Sequence, residues 1–189
     1  MLKTHLSNIG LKDFDDREKL FEWGYSLLKN YKIPSNVIVT FFKYLKKVEN
    51  NNSYFYKKKL YKIAACNKVL LNFFHSIEFS RIYKSGSHIA KNIKNNKQIL
   101  DLGCNSGYLT SYYAKKFSLS NFTGIDNCST AIATARNDYK KNKNLIFSSD
   151  IKYIKNFKFD YIIDTQCLSD ISDKSVVNYL IKVLSKNLN

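Results

Sequence analysis

The 189-residue chain is predicted to be an α/β protein, a helical region followed by an open parallel sheet with helices on both faces. Three observations carry that expectation. From Lys97 onward, short apolar runs alternate with segments of helical period, the pattern of successive βαβ units. The first of those runs, "QILDL", breaks into a turn holding two glycines, Gly103 and Gly107. Before it, from about Asp13 to Asn95, the periodicity is helical and no convincing strand occurs.

Taken in order, "DDREKLFEWGYSLLKNY" places Leu20, Trp23, Leu27 and Leu28 on one face, behind acids that suit a helix N-terminus. Pro34 and Ser35 punctuate, and "SNVIVTFFKYLKKVE" resumes with Val37, Phe41, Tyr44, Leu45 and Val48 along one stripe. Asn50 to Ser53 reads as a turn, a third helix is predicted from Tyr54 to about Phe74, and a fourth around Ser80 to Ile93. Strand one, "QILDL", leads to a helix over Tyr108 to Phe117, and strand two, "NFTGID", to a helix over "STAIATARNDYKK". Strand three, "NLIFSSD", is followed by a short helical or irregular link through "IKYIKN". Strand four is "FDYIIDT", and a last helix covers "SDKSVVNYLIKVLSK". The right-handed crossover rule puts the helices on both faces of the sheet. The expected division is a helical cap, 1–79, and an α/β domain, 80–189.

The formal charge of +16 invites a nucleic-acid reading. The positives are nearly all lysine, with Arg17, Arg81 and Arg136 the only arginines, and Asn and Ile are also abundant. That composition matches the coding habit of an AT-rich genome, which raises charge without any ligand. The densest basic run is "YKKKLYK", Tyr56 to Lys62, so the charge alone leaves both readings standing. No window approaches 18 uninterrupted apolar residues, so no membrane-spanning helix is expected. The opening "MLKTHLSNIGLKDFDD" lacks the apolar core of a signal peptide. Cys66, Cys104, Cys128 and Cys167 show no metal-ligand spacing, so no metal is expected. A reduced, cytoplasmic setting fits them best.

The glycine turn is the informative motif. In an open parallel sheet ligands sit beyond the carboxyl ends of the strands, and the loop after strand one is such a place. A NAD-type fingerprint wants glycine at 103, 105 and 108, and the chain has Gly103, Asn105 and Tyr108. It also lacks the Lys-Ser/Thr ending of a P-loop. What fits is acid-x-Gly-x-x-x-Gly, with Asp101 two residues ahead of Gly103. A carboxylate there repels a pyrophosphate and attracts a cation. The bland alternative is that Asp101 caps the following turn.

On "DLGCNSGY" the chain resembles the class I S-adenosylmethionine-dependent methyltransferases, whose fold is Rossmann-like. The resemblance implies S-adenosyl-L-methionine as cofactor, held by Asp101, Gly103, Cys104, Asn105, Gly107 and Tyr108 in the first loop. It implies that Asp126 accepts bonds from the ribose hydroxyls, with Asn127 and Cys128 against the adenosine. At the end of strand three it implies Ser149 and Asp150 near the adenine amino group and Ile151 on the ring. Asp164, Thr165 and Gln166 would then stand near the methyl donor and acceptor.

The departures are informative too. The middle glycine of the family motif is Asn105, a residue that tolerates left-handed backbone. The strand-four loop is not N/D-P-P-Y/F, nor does it carry the Pro-Cys of cytosine-C5 enzymes, so amino-base methylation on those templates is disfavoured. The family's sheet is ordered 3-2-1-4-5-7-6. Here only strands 3-2-1-4 are expected, with 5-7-6 apparently missing and the strand-four edge open to self-association or a partner chain.

The reading is an enzyme transferring methyl to a small-molecule acceptor. One alternative is RNA or protein as acceptor, met by the lysine-rich cap. Another is a non-catalytic cofactor-binding half-domain or one subunit of a split enzyme. Asp164 and Asp170 are the candidate bases where the acceptor must lose a proton. His75 is read as a packed or surface histidine before a catalyst, and the cap aromatics Phe73, Phe74, Phe79 and Tyr83 as core before substrate box.

Overall fold

The computed structural model describes residues 1–51, 53–165, 167–171 and 173–189. It resolves into two compact units, Met1–Lys84 and Ser85–Asn189.

The first unit is helical: α1 (Leu2–Asn8), α2 (Arg17–Asn30), α3 (Ser35–Asn51), α4 (Tyr54–Ala65) and α5 (Lys68–Ile77), with α6 (Phe79–Asn92) crossing the boundary. Asp16 opens α2 by accepting from the Glu18 amide. The expected third helix is in fact two. Asn67 leaves helical backbone for an extended conformation, and its side chain accepts from the Val69 and Leu70 amides to start α5. A good N-cap residue inside an apolar run was the missed signal. Helix α3 also runs through Asn51, two residues into the expected turn, and α1 was not anticipated at all. The core of this unit gathers Leu28, Phe41, Leu60, Leu70 and Phe73 among its fully buried residues. Phe73 is ringed by Phe21, Trp23, Phe41 and Phe42 at centroid distances of 5.9–6.0 Å. Gly24 makes room for it, since a Cβ there would lie 2.0 Å from the Phe73 ring.

The second unit holds β1 (Gln98–Leu102), α7 (Tyr108–Lys116), β2 (Asn121–Ile125), α8 (Ser129–Asp138), β3 (Leu145–Ser148), a 3-10 helix (Ile151–Asn156), β4 (Tyr161–Asp164) and α9 (Lys174–Asn187). The strands form one parallel sheet in the order β3-β2-β1-β4, the order expected from the sequence. Alternation along β1 assigns its two faces. Leu100 and Leu102 pack with Ile125, Ile154, Phe159 and Leu184, toward the 3-10 helix and α9. Asp101 points the other way and meets Thr110 of α7. Cys104, Ile132, Ala135 and Phe147 form a further apolar cluster beneath α8.

The chain's last residues return to the sheet. Leu188 makes an isolated parallel bridge with Phe159, and the Phe159 amide donates to the Asn187 carbonyl at 2.7 Å. The buried Asn187 side chain secures the return, donating to the carbonyls of Ile154 at 2.7 Å and Phe157 at 2.6 Å. No helix of the described residues is long and apolar enough to cross a membrane.

Candidate functional site

Register brings the site residues to one end of the sheet. Asp101 pairs with Gly124 on β2 and Ile163 on β4, Leu102 with Ile125 and Asp164, and Ile125 with Ser148. The loop at Gly103, the acid Asp126, the Ser149–Asp150 pair and Asp164 therefore all lie at or just past the carboxyl ends of neighbouring parallel strands. Ligands of open parallel sheets bind at that end.

The first loop is built on three left-handed positions, Gly103 (φ 73°), Asn105 (φ 51°) and Gly107 (φ 76°). Left-handed backbone is open to glycine and, among other residues, best tolerated by Asn and Asp. Asn105 thus stands where the family motif has its middle glycine and takes the same backbone region. Its own Oδ1 accepts from the Ser106 amide at 2.7 Å. The end of β2 holds the loop in place: the amides of Gly103 and Cys104 donate to the Ile125 carbonyl at 2.7 and 3.1 Å. The Asn105 amide donates to Asp126 Oδ2 at 2.9 Å, and the Cys128 amide to Asp126 Oδ1 at 2.8 Å. Asp126 thereby ties two loops together, and each of its oxygens keeps a further lone-pair site for a ligand hydroxyl.

The glycines also answer to packing inside the protein. A Cβ at Gly103 would lie 2.5 Å from Cys167 Cβ, and one at Gly107 would lie 2.4 Å from the Phe147 ring. The same ring lies 2.6 Å from a Cβ built on Gly124. The family resemblance gives Gly103 and Gly107 to the cofactor. Their left-handed backbone and these two neighbours suffice to require glycine.

Asp101 is only 3% exposed, and its Oδ2 accepts from the Thr110 hydroxyl at 2.6 Å. Burial pushes its carboxyl up to about 7, the Thr110 bond opposes that, and the charges of Asp126 and Asp164 add to it. Burial also raises Asp126, against the two amides that favour its charged form. Cys167 is pushed up to about 12, first by burial and then by Asp164, Asp126, Asp170 and Asp101. Burial raises the Cys104 thiol too. Neither cysteine is an activated nucleophile.

The field acting on Cys167 thus comes from four of the eight acids in this unit, in a chain that is otherwise strongly basic. Two of the four, Asp101 and Asp126, are carboxylates whose charged form burial disfavours. Such a place suits a ligand carrying positive charge and hydroxyl donors, and is hostile to phosphate.

The remaining sequence candidates are distributed as follows. Cys104 and Tyr108 are buried, while Asn127 is exposed at the β2 end. Ser149 and Asp150 are exposed, Ile151 is half-buried, and Asp150 Oδ1 caps the 3-10 helix by accepting from the Lys152 amide at 2.8 Å. Asp164 is exposed and its Oδ1 accepts from the Cys167 and Leu168 amides at 2.7 and 3.4 Å, which gives it a loop-holding task. Thr165 and Asp170 are half-buried, and Gln166 lies outside the described residues. His75 is buried in α5 with its ring 5.4 Å from that of Phe74, within the helical unit. Phe73, Phe74 and Phe79 are buried, and Tyr83 stacks on Phe79 at 6.4 Å. Among the described residues no group of three or more His, Cys, Asp or Glu side chains is placed to hold a metal ion.

Two contributors escaped the sequence reading. Thr110 lies in the first turn of α7, with its hydroxyl on the β1 acid. Phe147 passed as an ordinary strand residue, although glycines at 107 and 124 left room for something large.

A parallel sheet in the order β3-β2-β1-β4 with helices packed against it is a Rossmann-like α/β fold. More narrowly, the chain belongs to the methyltransferase-domain family, whose model matches residues 93–188. No curated protein sequence matches it. Among solved structures it is similar to the plantazolicin methyltransferase BpumL, crystallised with a monoazolic desmethylPZN analogue and SAH. There the identity is 22% and the TM-score 0.51, over 82% of this chain and 59% of that one. It is also similar to the N-methyltransferase NodS from Bradyrhizobium japonicum WM9, solved with S-adenosyl-L-homocysteine (20% identity, TM-score 0.47, 57% of this chain and 55% of that one). A third is PKMT2 from Rickettsia typhi with AdoHcy (23%, TM-score 0.45, 58% and 24%). The chain therefore spans less than two-thirds of the length of each of these structures.

Proposed function

We propose that the Ser85–Asn189 unit binds S-adenosyl-L-methionine at the strand ends and presents its methyl group to an acceptor. The observation that carries this is the convergence of Asp101, Asp126, Asp164 and Asp170 in a chain of net charge +16. Membership of the methyltransferase-domain family supports the same ligand, and the BpumL structure holds its demethylated product. The donor set fits: carboxylates suit an ammonium, a sulfonium and a ribose diol alike.

Bound there, the cofactor would supply a sulfonium-activated methyl, open to in-line attack by an acceptor lone pair with the neutral thioether as leaving group. The chain's task is alignment and exclusion of water, worth effective molarities of roughly 10⁵ M and upward. Asp126, locked by the Asn105 and Cys128 amides, orients the ribose. Asp101 offsets the positive charge from beneath the loop. Asn105, Gly107 and Tyr108 supply the backbone beside the ligand, and Asn127, Asp150 and Ile151 border its base. Asp164 Oδ1 accepts from the Cys167 and Leu168 amides, and Asp164 and Asp170 are the candidate bases for an acceptor that must lose a proton. A small-molecule acceptor is our reading at these strand ends, with RNA or protein as the alternative.

Calorimetry with S-adenosyl-L-methionine tests the proposal. The wild-type chain should bind, and Asp126→Ala should weaken binding at least tenfold. An exposed-cap control, Asp173→Ala, should bind like wild type. Equal binding by wild type and Asp126→Ala, or none by wild type, would sink the proposal.

A further inference from the structure

The excess of lysine is uneven. Residues 35–68 hold eight lysines against one acid, a net +7 out of +16 for the chain, and that acid, Glu49, is paired with Arg17. Seven of these lysines lie on α3 and α4, at 43, 46, 47, 57, 58, 59 and 62, and all but the half-buried Lys47 and Lys57 are exposed. At about 100° per residue, Phe55, Lys58, Lys59 and Lys62 share one sector of α4.

Aromatic rings thread the lysines into one surface. Lys47 Nζ lies 6.0 Å from the Tyr44 ring centroid on α3 and 4.9 Å from that of Tyr56 on α4. Tyr56 in turn contacts Phe55 at 5.5 Å, and Lys59 Nζ lies 5.7 Å from the Phe55 ring. Phe55 is 58% exposed although burial is the cheaper fate of such a side chain.

We propose that this α3–α4 face binds single-stranded RNA. Lysines provide the phosphate-neutralising charge, and an exposed ring among them provides a platform on which a base can stack. An anionic membrane would demand a broad apolar face opposite the lysines for insertion. Among the described residues, the exposed sector of α4 offers only Phe55 for that purpose. The inference stands apart from methyl transfer, because its readout needs no cofactor.

The test is fluorescence anisotropy of the full chain with a labelled 20-nucleotide single-stranded RNA across a salt series. Lys58→Glu/Lys59→Glu/Lys62→Glu should weaken binding at least tenfold and make the slope of log K against log[salt] shallower by about 2. Lys140→Glu/Lys141→Glu/Lys143→Glu, which changes net charge equally, should change binding less than threefold. Phe55→Ala should weaken binding about 5- to 100-fold with the salt slope unchanged. Equal losses in the two triple variants would overturn the proposal in favour of bulk charge. So would loss of binding to phosphatidylserine vesicles in the α4 variant with RNA binding intact. Thermal melts of each variant confirm folding, and a charge-neutral Lys58→Gln/Lys59→Gln/Lys62→Gln chain repeats the test where the Glu variant fails to fold.

Discussion

The two units of this chain are specified by different physics. Met1–Lys84 is held by an aromatic cluster: Phe73 at its centre, four rings about 6 Å away, and Gly24 admitting the ring. Nothing in that arrangement depends on one residue having one backbone angle. The strand ends of Ser85–Asn189 depend on just that, with left-handed backbone at three alternate positions and a buried carboxylate beneath them. A packed core tolerates many sequences of similar volume, whereas a constrained turn tolerates few. The first unit therefore carries no motif, and the second carries a recognisable one.

The largest expected effect tests the packing half of this contrast. Phe73→Ala should lower the stability of the helical unit by about 3–5 kcal/mol, read from denaturant midpoints at constant m-value. Phe73→Leu should recover most of that loss. A cost below about 1 kcal/mol for the alanine change would show that the cluster is not what holds the unit.

How much could be read in advance follows the same division. The sheet order and the strand-end acids were legible because alternation, glycine spacing and carboxylates are local signals. The helical region was legible as helix but not in its joints. Asn67 makes a cap only because the chain turns there, and its run "AACNKVLLNFF" reads as continuous helix by period alone. The tasks of the acids were legible only in part. Asp150 and Asp164 were read for a ligand, yet each also accepts backbone amides that shape its own loop. That second task depends on loop conformation, which no periodicity encodes.

The next effect, on the order of 4 kcal/mol, belongs to the buried carboxylate. Asp101 is pushed up to about 7 from an ordinary 3.8, chiefly by burial. Between those values the folded chain holds a proton that the unfolded chain has released. Stability from this group is thus fully present below about pH 4 and is lost as pH rises toward 7. Asp101→Asn should flatten the dependence over that window, measured by urea denaturation at each pH. A cationic ligand acts in the opposite sense, favouring the ionised form, so S-adenosyl-L-methionine affinity should rise with pH through 7 and binding should release a proton. Calorimetry in buffers of different ionisation enthalpy reads that proton directly. An affinity that falls with pH would remove Asp101 from the binding field.

The smallest effect is the sharpest probe of the turn. Asn105 sits at φ 51° and accepts from the Ser106 amide, so its side chain and its backbone serve the same loop. Asn105→Ala should cost about 1–2 kcal/mol, the penalty of left-handed backbone for a residue with a Cβ and no local acceptor. Asn105→Gly keeps the backbone free and loses only the side-chain bond, so its cost should stay near 1 kcal/mol or below. If backbone angle is what the site demands, the glycine variant should also bind cofactor within a few-fold of wild type while the alanine variant binds more weakly. If instead the amide side chain touches the ligand, the two variants should lose affinity equally despite their different stabilities. Paired melting and calorimetric measurements on the two variants therefore separate a residue that shapes the loop from one that contacts the ligand.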